Sequence, residues 1–314
     1  MSFHKFLQIS VGLFFLSIVP SVGYAAILYL EPSVGDYQPG DTFMVNTRID
    51  PKGECVNTIQ ANLEFSKDSL EVKDVSNGNS IISFWVKEPE FSNEKGTISF
   101  AGGIPGGYCG PLLGDPGESN LLGKIIFKVK DSGEQFSATL KFLNSSQVLL
   151  NDGMGTPAKL SSRGAVFNIK EVRPPGEVEP QKDEWQEELE KDKIPPEPFE
   201  IKINQEPAAF DGKYFIIFST TDKQSGIDYY EVKEGGKDWK EADSPYLLED
   251  QSLKSIIKVK AVDKARNERI AEYAPLKPLS YWIIAPILIG AWIIWRTIKN
   301  LKRKAKNAKQ QFKI

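Results

Sequence analysis

Apolar and polar residues trade places at every second position through much of the first half of the chain. Phe43, Val45, Thr47 and Ile49 alternate with Met44, Asn46 and Arg48, and Ile59, Ala61, Leu63 and Phe65 alternate with Gln60, Asn62 and Glu64. The same period of two returns at Ile98 and Phe100, at Ile125, Phe127 and Val129, and at Leu140 and Phe142. Successive side chains of a strand point to opposite faces, so this period predicts strands that bury one face and wet the other. Turn-forming runs separate them: Gln38-Pro39-Gly40-Asp41, Ser76-Asn77-Gly78-Asn79 and Asn93-Glu94-Lys95-Gly96. Residues 26–170 therefore read as an all-β domain, a two-layer antiparallel sandwich of roughly nine strands and of jelly-roll type.

A second strand-rich stretch covers residues 199–277, with alternation plainest over Lys258, Val259, Lys260, Ala261 and Val262. It predicts a smaller β-sandwich. Between the two lies 171–198, where Pro174, Pro175, Pro180, Pro195, Pro196 and Pro198 stand among acids and lysines. Such a stretch has too little apolar surface to offset its ordering entropy, which predicts an extended, semi-rigid linker. Residues 183–193 could form a short helix in its middle, with Trp185 and Leu189 one turn apart.

The two ends of the chain are hydrophobic in different ways. A short basic start, an apolar run and the small residues Gly23, Ala25 and Ala26 predict a signal peptide over 1–25. Near the other end, seventeen residues from Leu279 to Trp295 carry no charge. That predicts one transmembrane helix over 279–298, opening at Leu279 and closing at Ile298, with Trp282, Trp292 and Trp295 at interfacial depth.

Charge sets the orientation of this span. Arg296, Lys299, Lys302, Arg303, Lys304, Lys306, Lys309 and Lys313 follow with no acid among them, so the tail 299–314 is expected in the cytoplasm and the β-domains outside the cell. Of 39 Lys and Arg, setting aside these eight and Lys5 leaves 30 against all 42 Asp and Glu, so the exported part carries a net charge near −12. The basic tail reads as a lipid-facing flank and not as a nucleic-acid patch.

Composition also narrows the chemistry. The only histidine is His4, inside the expected leader, which removes histidine bases, triads and histidine-ligated metals from the mature chain. There is no phosphate loop, dinucleotide fingerprint, zinc spacing or EF-hand pattern. No carboxylate pair is flanked by the apolar residues that glycosidase chemistry needs. The expectation is a protein that is not an enzyme, with no catalytic residue, no cofactor and no metal. Cys55 and Cys109 are the only cysteines, and an even count in an exported chain predicts one disulfide between them.

The order of landmarks resembles a cohesin domain. They are Val34 to Asp41 with Pro39-Gly40-Asp41, then Ala61-Asn62-Leu63-Glu64-Phe65 and Ser69-Leu70-Glu71-Val72, then Gly96 to Gly103 and Leu121 to Val129. The resemblance implies a non-catalytic nine-stranded sandwich, related to cellulose-binding modules, whose outward face holds a dockerin module. It places Thr58 and Gln60 where dockerin-binding members carry Asn and Asp. Asn62, Glu64, Thr97 and Ser99 complete the polar face on the same parity. The run Ser225-Gly226-Ile227-Asp228-Tyr229-Tyr230, with Ala261-Val262-Asp263-Lys264-Ala265-Arg266-Asn267, resembles bacterial immunoglobulin-like or fibronectin-III-like modules, with Arg266 where a glycine is usual.

Two functions from different classes follow. One is a membrane-anchored surface protein that presents a protein-binding face to a module of dockerin type. The other is a carbohydrate-binding module for polysaccharide at the cell surface. In Ser83-Phe84-Trp85-Val86 one of the two aromatics must face outward, and Trp85 is the candidate platform for a sugar ring.

Overall fold

The computed structural model describes residues 25–111, 119–131, 136–170, 182–275 and 281–311. Apart from Ala25, the expected signal peptide lies outside the described residues, as do residues 171–181 of the expected linker. The chain divides into two compact units. The first takes the described residues up to Glu197 together with Thr220–Asp228 and Ala261–Arg269, and the second takes Pro198–Ser219, Tyr229–Lys260 and the described residues from Ile270 onward.

The first unit is a β-sandwich. Its strands are β1 (Ala26–Glu31), β2 (Val34–Tyr37), β3 (Thr42–Asp50), β4 (Val56–Phe65), β5 (Leu70–Ser76) and β6 (Phe84–Ser92). They continue as β7 (Thr97–Tyr108), β8 (Leu121–Val129), β9 (Phe136–Phe142), β10 (Gln147–Leu150), β11 (Leu160–Arg163) and β12 (Ala165–Ile169). One sheet has the order β11-β1-β3-β8-β5; the other runs β2-β12-β9-β4-β7-β6, with β10 also on β4. The expectation of a purely antiparallel sandwich needs correction, because β1 with β11 and β2 with β12 pair in parallel. Alternation reports which face is buried; it carries no information about strand direction.

The alternation holds in β4 and fails at Arg48 of β3, which is buried and bonds Asn120 and Glu31. In β4, Val56, Ile59, Ala61, Leu63 and Phe65 are buried while Gln60 and Glu64 are exposed. The inner faces meet in an aromatic centre: Phe43 stacks on Tyr37 at 3.8 Å and meets Phe167 edge-on at 5.0 Å. Thr47, polar at a buried position, donates its hydroxyl to the Gly123 carbonyl at 2.8 Å, which makes its burial tolerable. Cys55 and Cys109 are joined by a disulfide.

The linker is described from Lys182 onward, and there it is fastened to the sandwich. Helix α1 (Glu184–Lys191) starts on Asp183, whose side chain accepts from the Gln186 N–H. Glu184 accepts from the Met44 N–H at 3.0 Å, and Glu188 meets Lys124 at 2.7 Å. Trp185 and Leu189 share the half-buried side of the helix. Two acids of a stretch expected to be a linker are thus the docking groups. Arg266 takes φ 70°, the left-handed turn for which a glycine is usual.

In the second unit, β13 (Lys202–Gln205), β14 (Tyr214–Ile217), β15 (Ile227–Glu234), β16 (Lys240–Glu241), β17 (Tyr246–Leu247), β18 (Ile257–Asp263) and β19 (Glu268–Tyr273) form two sheets, β13-β14-β17 and β16-β15-β18-β19. The strands β15, β18 and β19 each have one end in the first unit by sequence. Ile216, Phe218, Val232, Leu248, Ile257 and Val259 make the core. Helix α2 (Tyr281–Gln311) holds the apolar run. The expected membrane span is not found: among the described residues no helix is long and apolar enough to cross a membrane. Residues 279 and 280 of that span lie outside the described residues, and Arg296, Lys299, Lys302 and Arg303 continue the same helix just past the apolar stretch.

Candidate binding face

The outward side of the second sheet is set by β4, β7, β6 and β10. Cross-strand pairing puts Gln60 opposite Ala101 and Gln147, Asn62 opposite Ser99, Glu64 opposite Thr97, and Thr58 opposite Gly103. On the far side of β7, Lys87 stands opposite Ala101, Glu90 opposite Ser99 and Ser92 opposite Thr97. The six polar residues expected together on β4 and β7 therefore do share one face. Residues of the same parity on neighbouring strands must do so once the register is fixed.

Much of this strip is already engaged within the molecule. Glu64 pairs with Lys141 at 3.0 Å, Lys87 donates to the Ser99 hydroxyl at 2.8 Å and also pairs with Glu90 at 3.1 Å. The Asn62 amide donates to the Ser145 carbonyl at 3.0 Å, and the Thr58 hydroxyl donates to Asn57 at 3.0 Å. These are exposed contacts of small worth, and they hold the side chains in place more than they stabilise the fold. Gln60, exposed in the middle of the strip, has no side-chain hydrogen bond among the described residues.

Trp85 is a correction. It does not present a platform to solvent: it is half-buried against the core and meets Phe100 edge-on at 6.0 Å. Phe84 takes the outward place, 63% exposed, with its ring side 3.8 Å from where a Cβ on Gly103 would sit. The register of β6 against β7 shifts between Trp85 and Lys87, leaving Val86 72% exposed in the irregularity. Phe91, 42% exposed, adds a third apolar side chain to the same edge strand. Sequence reasoning missed Phe84, Val86 and Phe91 as surface groups, and only Phe84 was within reach, as the other member of the aromatic pair.

The disulfide and Asn151 tie down one end of the face. Asn151 donates its N–H to the Cys55 carbonyl at 2.8 Å and its amide to the Gly106 carbonyl at 3.1 Å, and it accepts from the Asn57 amide at 3.2 Å. Four strands at about 4.8 Å spacing and about 3.3 Å per residue along ten-residue β4 give a face roughly 15 Å wide and 30 Å long. That is room for one helix laid flat.

No known family pattern and no curated protein matches the chain. Solved structures do resemble it in outline. One is a chain of the Coh-OlpC–Doc435 type I cohesin–dockerin complex from Clostridium thermocellum, 13% identical over 48% of this chain and 96% of that one, with a TM-score of 0.36. Another is the seventh ScaB type I cohesin from Pseudobacteroides cellulosolvens, 19% identical over 50% of this chain and 99% of that one, also with a TM-score of 0.36. A third is CaCohA2 from Clostridium acetobutylicum, 16% identical over 47% and 92% of the two chains, again with a TM-score of 0.36.

Proposed function

We propose that this chain is a non-catalytic binding protein that presents the β4–β7–β6 face of its first sandwich to a folded protein module of dockerin type. The observation that carries this reading is the edge strand β6, where Phe84 lies exposed opposite Gly103 beside the polar strip headed by Gln60, and Val86 and Phe91 leave further apolar surface along the same edge. An uncovered edge strand with large apolar side chains is a hazard that proteins normally blunt, and a partner that covers it removes the hazard. A central apolar contact with hydrogen-bonding groups beside it is also the usual make-up of a protein interface. The sugar alternative loses Trp85, which is turned to the core, and is left with the single outward ring of Phe84.

The rest of the organisation belongs to the same proposal. The region 199–277 acts as an immunoglobulin-like spacer.

The test is a titration of the full chain, held in detergent, with a panel of dockerin-type modules and of soluble oligosaccharides. The expected result is binding of at least one module, weakened ten-fold or more by the Gln60→Ala, Phe84→Ala double variant. Binding of an oligosaccharide and of no module would reject the proposal.

A further inference from the structure

Three aspartates of the first unit, far from the binding face in sequence, share one buried spot. Asp192 follows α1 directly, Asp222 lies in the 220–228 segment and Asp263 closes β18. They are 1%, 3% and 0% exposed, and one carboxylate oxygen from each lies within 4.8 Å of the other two.

Five of the six oxygens accept amide hydrogens. Asp192 takes the N–H groups of Ile194 on Oδ1 and Ser225 on Oδ2. Asp222 takes those of Gln224 and Gly226 on Oδ2. Asp263 takes the backbone N–H of Asn267 on Oδ1 and its side-chain amide on Oδ2. The sixth, Oδ1 of Asp222, is shielded from solvent and has no hydrogen-bond partner. With Oδ2 held by two backbone groups, Oδ1 is the oxygen this carboxylate has left for its neighbours.

All of these donors are neutral. Among the described residues none of the three aspartates is ion-paired; of the cations of the same segments, Lys193 is exposed to solvent and the others are engaged elsewhere. Lys264 is on Asp74, Lys223 on Glu197 and Arg266 on Asp228, while Arg269 donates to the Pro196 carbonyl and Lys124 to Glu188 and the Gln224 carbonyl. Three buried carboxylates with one orphaned oxygen and no countercharge form an arrangement that only a cation or shared protons can make favourable.

We infer that Asp192, Asp222 and Asp263 bind a hard divalent cation, calcium in particular. The donor set is all oxygen, with neither histidine nor cysteine, which suits calcium or magnesium and not a softer metal. Calcium–oxygen bonds run about 2.3–2.6 Å, so oxygens within 4.8 Å of one another lie at about the spacing of one ion's shell and need at most a few tenths of an ångström of adjustment to close on it. Magnesium gives up its waters reluctantly and is poorly served by a closed, dry site, whereas calcium accepts an irregular shell of six to eight oxygens. The ion would tie the exit of α1, the 220–228 segment and the end of β18 to one point.

The test uses the full chain, stripped with chelator and dialysed. Calcium titrated in a calorimeter should give one site per chain, and calcium in hundred-fold excess over its Kd should raise the melting temperature by about 5 °C or more. Magnesium at the same concentration should do less. Asp222→Asn, folded by circular dichroism, should bind at least ten-fold more weakly. Hydrogen exchange of the wild-type chain should show calcium protecting the amides of Ser225, Gly226 and Asn267, a readout that needs no variant. Absence of calcium binding, protection confined to other regions, or undiminished binding by folded Asp222→Asn would each overturn the inference.

Discussion

Phe84 and Trp85 are neighbours in β6 that face opposite ways: Phe84 is 63% exposed opposite Gly103, whereas Trp85 packs edge-on against Phe100 at 6.0 Å. Truncation of the two should therefore separate binding from stability. Trp85→Ala removes core contacts and should cost about 3 kcal/mol in urea unfolding. Phe84→Ala should stay within about 0.5 kcal/mol of the parent protein while weakening capture of a protein module ten-fold or more. Equal stability losses at both positions would mean that the ring of Phe84 is structural.

The Cys55–Cys109 bond closes a loop of 54 residues between the start of β4 and the end of β7. In the chain-entropy account a loop of that length contributes about 4 kcal/mol, by restricting the unfolded chain. Replacing both cysteines by alanine should lower the guanidinium unfolding free energy by that order. It should also raise hydrogen exchange at Asn151, whose N–H is held by the Cys55 carbonyl. Unchanged stability in the double variant would show that Asn151 and its neighbours hold this end of the sheet unaided.

The buried faces of both sheets were legible because alternation is a local property: Ile59, Ala61, Leu63 and Phe65 had to share a side whatever the fold around them. Other features depend on partners distant in sequence. The strands β2, β10 and β11 have four residues each, too few to establish a period, and their pairing adds what the longer strands do not announce. The parity of Phe84 and Trp85 could not be assigned because the register shift after Trp85 breaks the count from Phe91 backward. Glu184 and Glu188 look like any solvated acids until Met44 and Lys124 are brought to them. Asp192, Asp222 and Asp263 are 30 and 41 positions apart, so no spacing rule could have joined them.

Gly78 lies in a run that reads as an ordinary turn, yet its lack of a side chain is needed for a different reason. A Cβ there would sit 2.3 Å from the Gln224 carbonyl oxygen and 2.7 Å from the Gly226 nitrogen, both backbone atoms of the same unit. Backbone atoms cannot swing aside as a side chain can. Gly78→Ala should therefore push the 224–226 segment away and cost roughly 2 kcal/mol or more. It should also loosen the bond from the Ser76 hydroxyl to the Ser225 carbonyl, seen as faster hydrogen exchange over 222–226. A neutral substitution would show that this approach is looser than described.

Tyr37 supplies a pH dependence whose sign is fixed. Its ring stacks on Phe43 at 3.8 Å and is 7% exposed, and burial, aided by the Glu184 and Asp41 charges, pushes its phenol up to about 12. An unfolded tyrosine ionises near 10. In the window between these values the unfolded chain has lost a proton that the folded chain keeps, so stability falls as pH rises. The contribution is intact below pH 10 and gone once the pH passes the folded value. From pH 9 to pH 11 it amounts to about 1.3 kcal/mol. Tyr37→Phe keeps the stacked ring and removes the titrating group. Urea midpoints at the two pH values should thus show a smaller alkaline loss in Tyr37→Phe than in the parent protein, by that amount. The phenolate absorbance of the folded parent should meanwhile show one more late-titrating tyrosine than the variant. Identical alkaline losses in the two proteins would place the Tyr37 hydroxyl in contact with water and remove the burial argument with it.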